Sequence, residues 1–311
     1  MRMLPWPAAA SAGLLLMTVA GPVYRAVDPE KLDLTPAVRA SAPGSFVLLA
    51  DGYTHYEIRG PASGRTVVLA AGATVPYYIW DPTFSALTAA GFRVLRYEYY
   101  GRGYSDRPNV AYTQDLYVRQ LTQLLDALGI RDSVDLAGLS FGGSVITTFA
   151  DRFPARVRSL VYLDPGFREP YDLPDIVRLR VASDFITAVF EERAWPGEQL
   201  DDFLHPERFP DWPARYRVQL QYKGFRNARL SELINNAKAD QRGELIRVGR
   251  NTRPVLVIWG KQDTNVPFEN SEALMKAMPR ARLVAVEAAG HLPHWEQPDL
   301  VHSAWISFLR R

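Results

Sequence analysis

The sequence predicts an α/β fold with a mostly parallel central sheet, helices on both faces of that sheet, and an inserted helical cap. Short β-branched runs alternate with helical patterns from Phe46 onward, and most of these runs are apolar throughout, as in strands buried on both faces. Residues 164–254 break the alternation, because they hold helical patterns and no convincing strand. A chain of 311 residues, 47% of them hydrophobic, can bury such a core.

The predicted strands begin with a hairpin. Its arms are Phe46–Leu49 and Tyr53–Arg59, and the Asp51-Gly52 pair between them supplies the positive φ angles of a tight turn. We expect this hairpin to form an antiparallel edge of the sheet. The remaining predicted strands are short and precede loop residues: Val67–Ala70, Arg93–Tyr97, Val134–Ala137, Ser159–Leu163, Val255–Trp259 and Arg282–Val286.

Helices are predicted where apolar residues recur at three- and four-residue spacing: Thr83–Ala90, Asp115–Leu128, Gly142–Arg152, Glu269–Ala277 and Asp299–Leu309. The core then comprises residues 45–165 and 251–311. Residues 166–250, which we call the cap, are inserted after the sixth strand. We expect the cap to cover the carboxyl ends of the strands, where open α/β sheets bind their ligands.

Residues 1–30 differ from the rest of the chain. No charged residue lies between Arg2 and Arg25, and residues 13–17 form an apolar run. The segment from Met3 to Tyr24 is interpreted as an uncleaved membrane anchor or a cleaved signal peptide, with a cytosolic tail as the third alternative. We therefore expect it to lie outside the fold and to make the protein membrane-anchored or exported instead of cytoplasmic.

Charge and cysteine content exclude several classes of protein. The formal net charge is +2, and the 36 basic and 34 acidic residues are interspersed, so no electrostatic footprint for nucleic acid is present. The absence of cysteine excludes a disulfide framework and thiolate catalysis. The expected partner is a small molecule.

A candidate nucleophile lies where a predicted strand runs into a predicted helix. The residues at this junction are Gly138-Leu139-Ser140-Phe141-Gly142, a G-x-S-x-G pattern. The sharp turn brings strand and helix so close that the positions two residues before and after the serine must lack side chains. This context predicts Ser140 as a nucleophile.

A serine hydroxyl needs a base to take its proton and a carboxylate to orient that base. Asp263 and His291 each follow a predicted strand end, and the chain order Ser140, Asp263, His291 is the order used by this kind of site. Asp164 also follows a strand and is the alternative acid. His294 is the alternative base, and its pairing with His291 in a metal site is disfavoured by Pro293 between them.

Attack on a carbonyl also requires donors for the oxyanion that develops. The backbone N–H of Phe141, directly after the nucleophile, is the first candidate. The second is Ala73, in the glycine-softened loop of residues 70–74 that follows the third strand.

Together these residues resemble the α/β-hydrolase superfamily, and in particular its branch of esterases and monoacylglycerol-lipase-like enzymes with a helical cap. The resemblance covers residues 45–311 and includes residues 100–108, which are similar to the family's G-x-G-x-S-D-x-P loop. It implies no cofactor and no metal. Two departures stand out: Ala71-Gly72 replaces the usual His-Gly, and serine replaces the nucleophilic aspartate of relatives that open epoxides or dehalogenate.

Hydrolysis of carboxylic esters with small to medium acyl groups is the leading functional prediction. The alternatives are hydrolysis of carbon–carbon bonds or cofactor-free perhydrolysis with the same triad, and a hydrolase-fold receptor that only binds. The cap carries many aromatic residues, of which we expect about a third to line an apolar passage to Ser140. These residues are Phe185, Phe190, Trp195, Phe203, Phe209, Trp212, Tyr216, Tyr222 and Phe225.

Overall fold

The computed structural model describes residues 21–311, and its centre is an eight-stranded sheet. The strands are β1 Ser45–Leu49, β2 Gly52–Arg59, β3 Thr66–Ala70, β4 Arg93–Tyr97, β5 Val134–Leu139, β6 Val157–Leu163, β7 Val255–Gly260 and β8 Arg282–Val286. They lie in the order β1-β2-β4-β3-β5-β6-β7-β8. The β1–β2 and β2–β4 pairs are antiparallel and all the others are parallel, which confirms the predicted fold class.

The helices of the described residues flank and cap this sheet. Besides the helical residues 21–27, they are α1 Pro36–Ser41, α2 Asp81–Ala89, α3 Gln114–Ala127, α4 Phe141–Arg152, α5 Asp175–Arg178, α6 Arg180–Ile186, α7 Trp195–Glu198, α8 Trp212–Leu220, α9 Phe225–Asn236, α10 Arg242–Arg250, α11 Asn270–Ala277, α12 Pro293–Glu296 and α13 Pro298–Leu309. Short 3₁₀ turns occupy Tyr77–Trp80, Pro154–Arg156, Gln199–Asp202 and Pro206–Arg208, and Thr187–Glu191 is a π-helical turn.

Each predicted strand and helix is present, and its ends differ from the prediction by at most two residues. Two of the two-residue differences have a visible cause. Strand β5 extends to Leu139 because that residue still pairs with Leu163 of β6. Helix α2 begins two residues early, at Asp81, because Pro82 in its first turn presets a helical φ angle.

Alternation along the buried strands builds a core on each face of the sheet. In β3, Val67 and Leu69 belong to one apolar cluster while Val68 and Ala70 belong to the other, as the two-residue period of a strand requires. Helices α3 and α4 pack on one face, and α2 and α13 pack on the other. The carboxyl ends of the strands are thereby held in a fixed row.

The cap is helical throughout its regular elements, α5 to α10, and the described residues place no sheet strand within it. Several of its aromatic side chains are buried in the same apolar cluster as α2 and α13: Phe203, Trp212, Tyr216 and Phe225. They join the cap to the core instead of leaving it as a loose lid.

The N-terminal segment is described only in part, since residues 3–20 of the predicted signal or anchor lie outside the described residues. Residues 21–27 are helical. Contrary to the expectation that residues 1–30 lie outside the fold, the Tyr24 hydroxyl donates to Asp184 of the cap over 2.6 Å, and Glu30 accepts the backbone N–H of Gly224 over 2.7 Å. These polar pairs attach residues 24–30 to the cap. Within residues 21–311, no helix is long and apolar enough to cross a membrane.

Candidate active site

Ser140 lies on a strained turn between β5 and α4. Its φ angle is 50° and its ψ angle is −121°, a left-handed conformation that side chains rarely adopt. A Cβ atom on Gly138 would lie 2.4 Å from the backbone of Gly142, and one on Gly142 would lie 2.3 Å from the carbonyl oxygen of Ala70. Both positions must therefore be glycine, and the close packing they permit holds the serine in its strained conformation.

Asp263 and His291 form a buried pair at the neighbouring strand ends, Asp263 after β7 and His291 after β8. The Nδ1 atom of His291 is 2.7 Å from Oδ2 of Asp263. The other oxygen, Oδ1, accepts the backbone N–H groups of Asn265 and Val266 over 2.8 and 2.9 Å. This arrangement fixes the ring through Nδ1 and leaves Nε2 for other chemistry.

The pKa of His291 reflects two opposing effects. Burial lowers it, but the hydrogen bond and negative charge of Asp263, together with the charge of Asp202, outweigh burial and raise the pKa above its ordinary value. Asp202 belongs to the cap, and its backbone carbonyl accepts the N–H of His291 over 2.8 Å. The cap therefore contacts the imidazole loop directly.

Ser140 and His291 line one cavity of 460 Å³, a size within the roughly 300 to 1,000 Å³ typical of small-molecule sites. Residues of the core provide its apolar wall, which includes Val75, Ile79 and Leu139. The cap provides mainly charged and polar residues: Glu198, Gln199, Asp201, Asp202 and Arg229.

The expectation that aromatic cap residues line the passage to Ser140 is wrong. Among the described residues, the wall of this cavity contains none of the nine aromatic side chains that the sequence suggested. Phe203, Trp212, Tyr216 and Phe225 are instead buried where the cap meets the core, and Phe190 is 72% exposed. Burial of large apolar area between two layers stabilises more than lining a wet cavity, and this accounts for their placement.

The two candidate oxyanion donors belong to different segments of the core. Ala73 lines the cavity, and Phe141 is the first residue of α4, where backbone N–H groups have no acceptor within the helix. A second cavity of 410 Å³ on the cap side is also lined by Phe141. Its backbone, not its side chain, is the part that belongs next to Ser140.

Two residues whose role the sequence did not indicate hold the loop of residues 70–74. The Nε atom of Arg102 donates to the carbonyl of Ala73 over 2.5 Å, and Nε2 of Gln219 donates to the carbonyl of Thr74 over 2.8 Å. Arg102 is 1% exposed and also donates to Glu232 of α9 over 2.9 Å. These contacts support a loop that lacks the histidine usual in the family.

Glu296 performs a similar role for the His291 loop. Its Oε2 atom accepts the backbone N–H of Gly290 over 2.6 Å, and its Oε1 atom accepts that of His205 in the cap over 3.0 Å. One buried carboxylate thus joins the imidazole loop to the cap. The sequence signal for it is weak, because a glutamate in a short helix after His291 resembles any surface helix residue.

The alternative base, His294, has a structural role. It is fully buried, and its Nε2 atom is 2.8 Å from the carbonyl oxygen of Ile79, while its ring packs against Trp80. Burial lowers the pKa of His294 to about 3, so the ring is neutral. Its hydrogen bond to a carbonyl makes Nε2 the donor and removes that atom from acid–base work.

Comparison with known proteins supplies the family. Residues 67–304 match the model of the alpha/beta hydrolase family. The chain is 30% identical to 2-hydroxy-6-oxononadienedioate/2-hydroxy-6-oxononatrienedioate hydrolase 1 of Dechloromonas aromatica, over 86% of this chain and 96% of that protein. It is 26% identical to Carboxylesterase YbfK of Bacillus subtilis, over 92% and 93% of the two chains.

Solved structures agree with this result. A hydrolase from Pseudomonas aeruginosa superposes with a TM-score of 0.72 at 28% identity, over 86% of this chain and 99% of that one. A thermophilic esterase from Thermogutta terrifontis gives 0.71 at 25% identity, over 86% and 98%. The chain therefore belongs to the alpha/beta hydrolase family and is a hydrolase.

Proposed function

We propose that this hydrolase cleaves carboxylic esters with small to medium acyl groups through an acyl-enzyme. One observation carries the proposal: a strained serine and a buried histidine–aspartate pair open into the same small cavity. Ser140 is the nucleophile, His291 the base and Asp263 the acid that orients it. The substrate is a small molecule, and the reaction uses no cofactor.

In the first half of the reaction, the Ser140 oxygen attacks the ester carbonyl while Nε2 of His291 takes the hydroxyl proton. The carbonyl oxygen becomes an oxyanion beside the backbone N–H groups of Phe141 and Ala73. His291 then gives the proton to the leaving alcohol as the carbon–oxygen bond breaks. The acyl group remains on Ser140.

In the second half, water replaces the alcohol. Nε2 of His291 takes a proton from the water, the resulting hydroxide attacks the acyl carbon, and the Ser140 oxygen leaves with the proton returned by His291. Asp263 holds the ring in the tautomer with hydrogen on Nδ1 throughout, and its charge stabilises the imidazolium that forms twice per turnover.

The charge of the cavity supports a neutral substrate. Among the described residues, three carboxylates of the cap line it, Glu198, Asp201 and Asp202, against one guanidinium, that of Arg229. That guanidinium also lies 3.7 Å from the carboxylate of Glu232. A dienedioate, the substrate type named for the Dechloromonas relative, carries two carboxylates that this wall would repel. A neutral ester meets no such cost.

Carbon–carbon bond hydrolysis is the second candidate, and the 30% identity to the Dechloromonas enzyme favours it. It requires the same serine, base and acid. It differs in needing cationic groups for a dianionic substrate, which makes the two candidates separable by substrate charge.

The test is a substrate panel on the purified enzyme. We expect turnover of p-nitrophenyl esters, with kcat/KM highest for short to medium acyl chains, and little turnover of a 2-hydroxy-6-oxo-dienedioate. A serine-directed fluorophosphonate should label the wild type and not Ser140→Ala. Efficient cleavage of the dienedioate with weak ester turnover would replace the ester proposal, and a rise in kcat/KM continuing to palmitate would exclude the small-acyl assignment.

A further inference from the structure

A second aspartate, Asp164, lies behind the pair formed by Asp263 and His291. It follows β6 directly and is 0% exposed. One carboxyl oxygen of each aspartate and one ring nitrogen of His291 all lie within 4.8 Å of one another. Two carboxyl groups this close in a buried place cannot both carry a negative charge without a large free-energy cost.

Hydrogen bonds decide which of the two aspartates is ionised. Asp263 accepts three N–H donors: Nδ1 of His291 and the backbone groups of Asn265 and Val266. Asp164 accepts one, the backbone N–H of Gly260 on Oδ1, over 2.8 Å. Its other oxygen, Oδ2, is buried without a hydrogen-bond partner. Donors favour the charged form, so the negative charge belongs on Asp263.

We propose that Asp164 is a neutral positioning residue that carries a proton on Oδ2 and lies beside the ionised carboxylate of Asp263. It holds the start of the acid loop through Gly260, and it keeps a second negative charge away from His291. The inference rests on the proposed triad. The proton is not transferred during turnover, because it stays on Asp164 while His291 exchanges protons with serine, alcohol and water.

The electrostatic surroundings agree with this assignment. Burial raises the pKa of Asp164 well above its ordinary value, and the carboxylates of Asp263 and Glu296 raise it further, while the N–H of Gly260 opposes them. The charged groups that face Asp164 thus come from the loop after β7 and from α12. His291, after β8, has Nδ1 committed to Asp263, so that nitrogen has no lone pair for a metal ion.

The backbone adds an independent reason for aspartate at this position. The φ angle of Asp164 is 39°, in the left-handed region. Among residues with a side chain, Asp and Asn tolerate this region best. Asn also reproduces the shape of a protonated carboxyl, with an amide N–H₂ in place of the O–H and a carbonyl that accepts from Gly260.

The decisive variant is therefore Asp164→Asn, compared with Asp202→Asn as a matched control. Asp202 is a carboxylate whose charge raises the pKa of His291. We expect Asp164→Asn to keep kcat and the acid limb of the kcat/KM profile close to those of the wild type. Asp202→Asn should move that acid limb to lower pH. An acid limb that falls in Asp164→Asn as far as in the control would show an ionised Asp164 and overturn the proposal.

Two further measurements keep the test independent of the reaction. At neutral pH, the infrared spectrum of the wild type should contain one protonated carboxyl band that is absent from the spectrum of Asp164→Asn. Loss of a carboxylate band instead would contradict the proposal even if the enzyme cleaves no ester. Asp164→Ala removes both the proton donor and the acceptor for the N–H of Gly260, and it should lower kcat. Asp164→Asn retains both kinds of group and should keep kcat close to that of the wild type. Equal kcat loss in both variants would also exclude the neutral-donor role.

Discussion

The core and the cap meet at one cavity, yet they contribute to it differently. The core supplies Ser140, Asp263 and His291 from the carboxyl ends of β5, β7 and β8, and a glycine-flanked turn fixes Ser140. The cap supplies charged side chains, among them Glu198 and Arg229. The residues of the proposed triad thus lie on the core, and most charged residues of the cavity wall lie on the cap.

The two regions are nevertheless connected at the points where precision is needed. Arg102 of the core binds both the carbonyl of Ala73 and the cap residue Glu232. Glu296 of the core binds both the His291 loop and the cap backbone at His205. If the comparison is correct, substitutions should lose activity in the order core loop, connection, cap wall.

The largest effect is expected at the nucleophile. Ser140→Ala should lower kcat for an ester by about 10⁴- to 10⁶-fold, because the covalent route is lost while binding remains. Ser140→Gly should be equally inactive but more stable than Ser140→Ala by about 1 kcal/mol, because the left-handed strain that glycine relieves outweighs its larger entropic cost of folding. Kinetics and urea unfolding measure both. Equal stability would mean that the turn stores no strain.

The acid is the next strongest test of the core. Asp263→Asn should cost about 10⁴-fold in kcat, because an amide favours the wrong tautomer of His291. Asp164→Asn is the matched control at the neighbouring strand end and should cost far less. Parallel kcat measurements on the two variants decide between them. A larger loss in Asp164→Asn would place the catalytic acid after β6.

The difference between core and cap also explains which parts of the structure could be predicted from the sequence. The strands, the helices of the core and the positions of Ser140, Asp263 and His291 follow from local patterns, because each of these residues is placed by the strand that precedes it. The buried pairing of His291 with Asp263 follows from the parallel order of β7 and β8. Patterns that are local in sequence are sufficient to predict the site wherever each residue is positioned by the strand before it.

The rest depends on contacts between residues remote in sequence. Arg102 looks like a loop residue until Glu232, far along the chain, is placed beside it. The polar wall of the cavity was missed because the aromatic residues of the cap suggested an apolar one. Which side of a short cap helix faces the core is decided by packing between layers, and hydrophobic composition alone does not specify it.

The connection between core and cap provides the third prediction. Arg102→Met combined with Glu232→Gln should lower kcat by about 10- to 100-fold with little change in KM, because a loosened Ala73 loop weakens an oxyanion donor without removing it. The paired change avoids leaving a buried carboxylate unpartnered. Glu232→Gln alone retains the contact from Arg102 to Ala73 and should remain within a few-fold of the wild type. If kcat falls equally in the double variant and in Glu232→Gln, the loss comes from the cap residue and not from the Ala73 loop.

A smaller effect is expected for the cap carboxylate beside the base. The proposed mechanism requires neutral His291, so a raised pKa of His291 should place the acid limb of kcat/KM above the ordinary histidine range. Asp202→Asn removes a charge that raises this pKa and keeps the acceptor for the side chain of Asn265. The acid limb should therefore move to lower pH. A limb that stays in place would mean that the cap does not affect the electrostatics of the base.

The smallest effect concerns the outer wall of the cavity, and it tests whether the cap selects by charge. Glu198 and Asp201 are exposed, so each acts through water, where two charges about 8 Å apart interact by about 0.5 kcal/mol. The double variant Glu198→Gln and Asp201→Asn should raise kcat/KM for mono-p-nitrophenyl succinate, an anionic ester, by about fivefold relative to p-nitrophenyl butyrate, a neutral ester of equal acyl length.

High salt should reduce the preference of the wild type for the neutral ester and leave the variant nearly unchanged, because exposed charges are screened. Arg229→Gln is the opposite control and should strengthen discrimination against the anion. If all three enzymes discriminate equally at low salt, the carboxylates of the cap do not select the substrate, and specificity resides in the loops of the core.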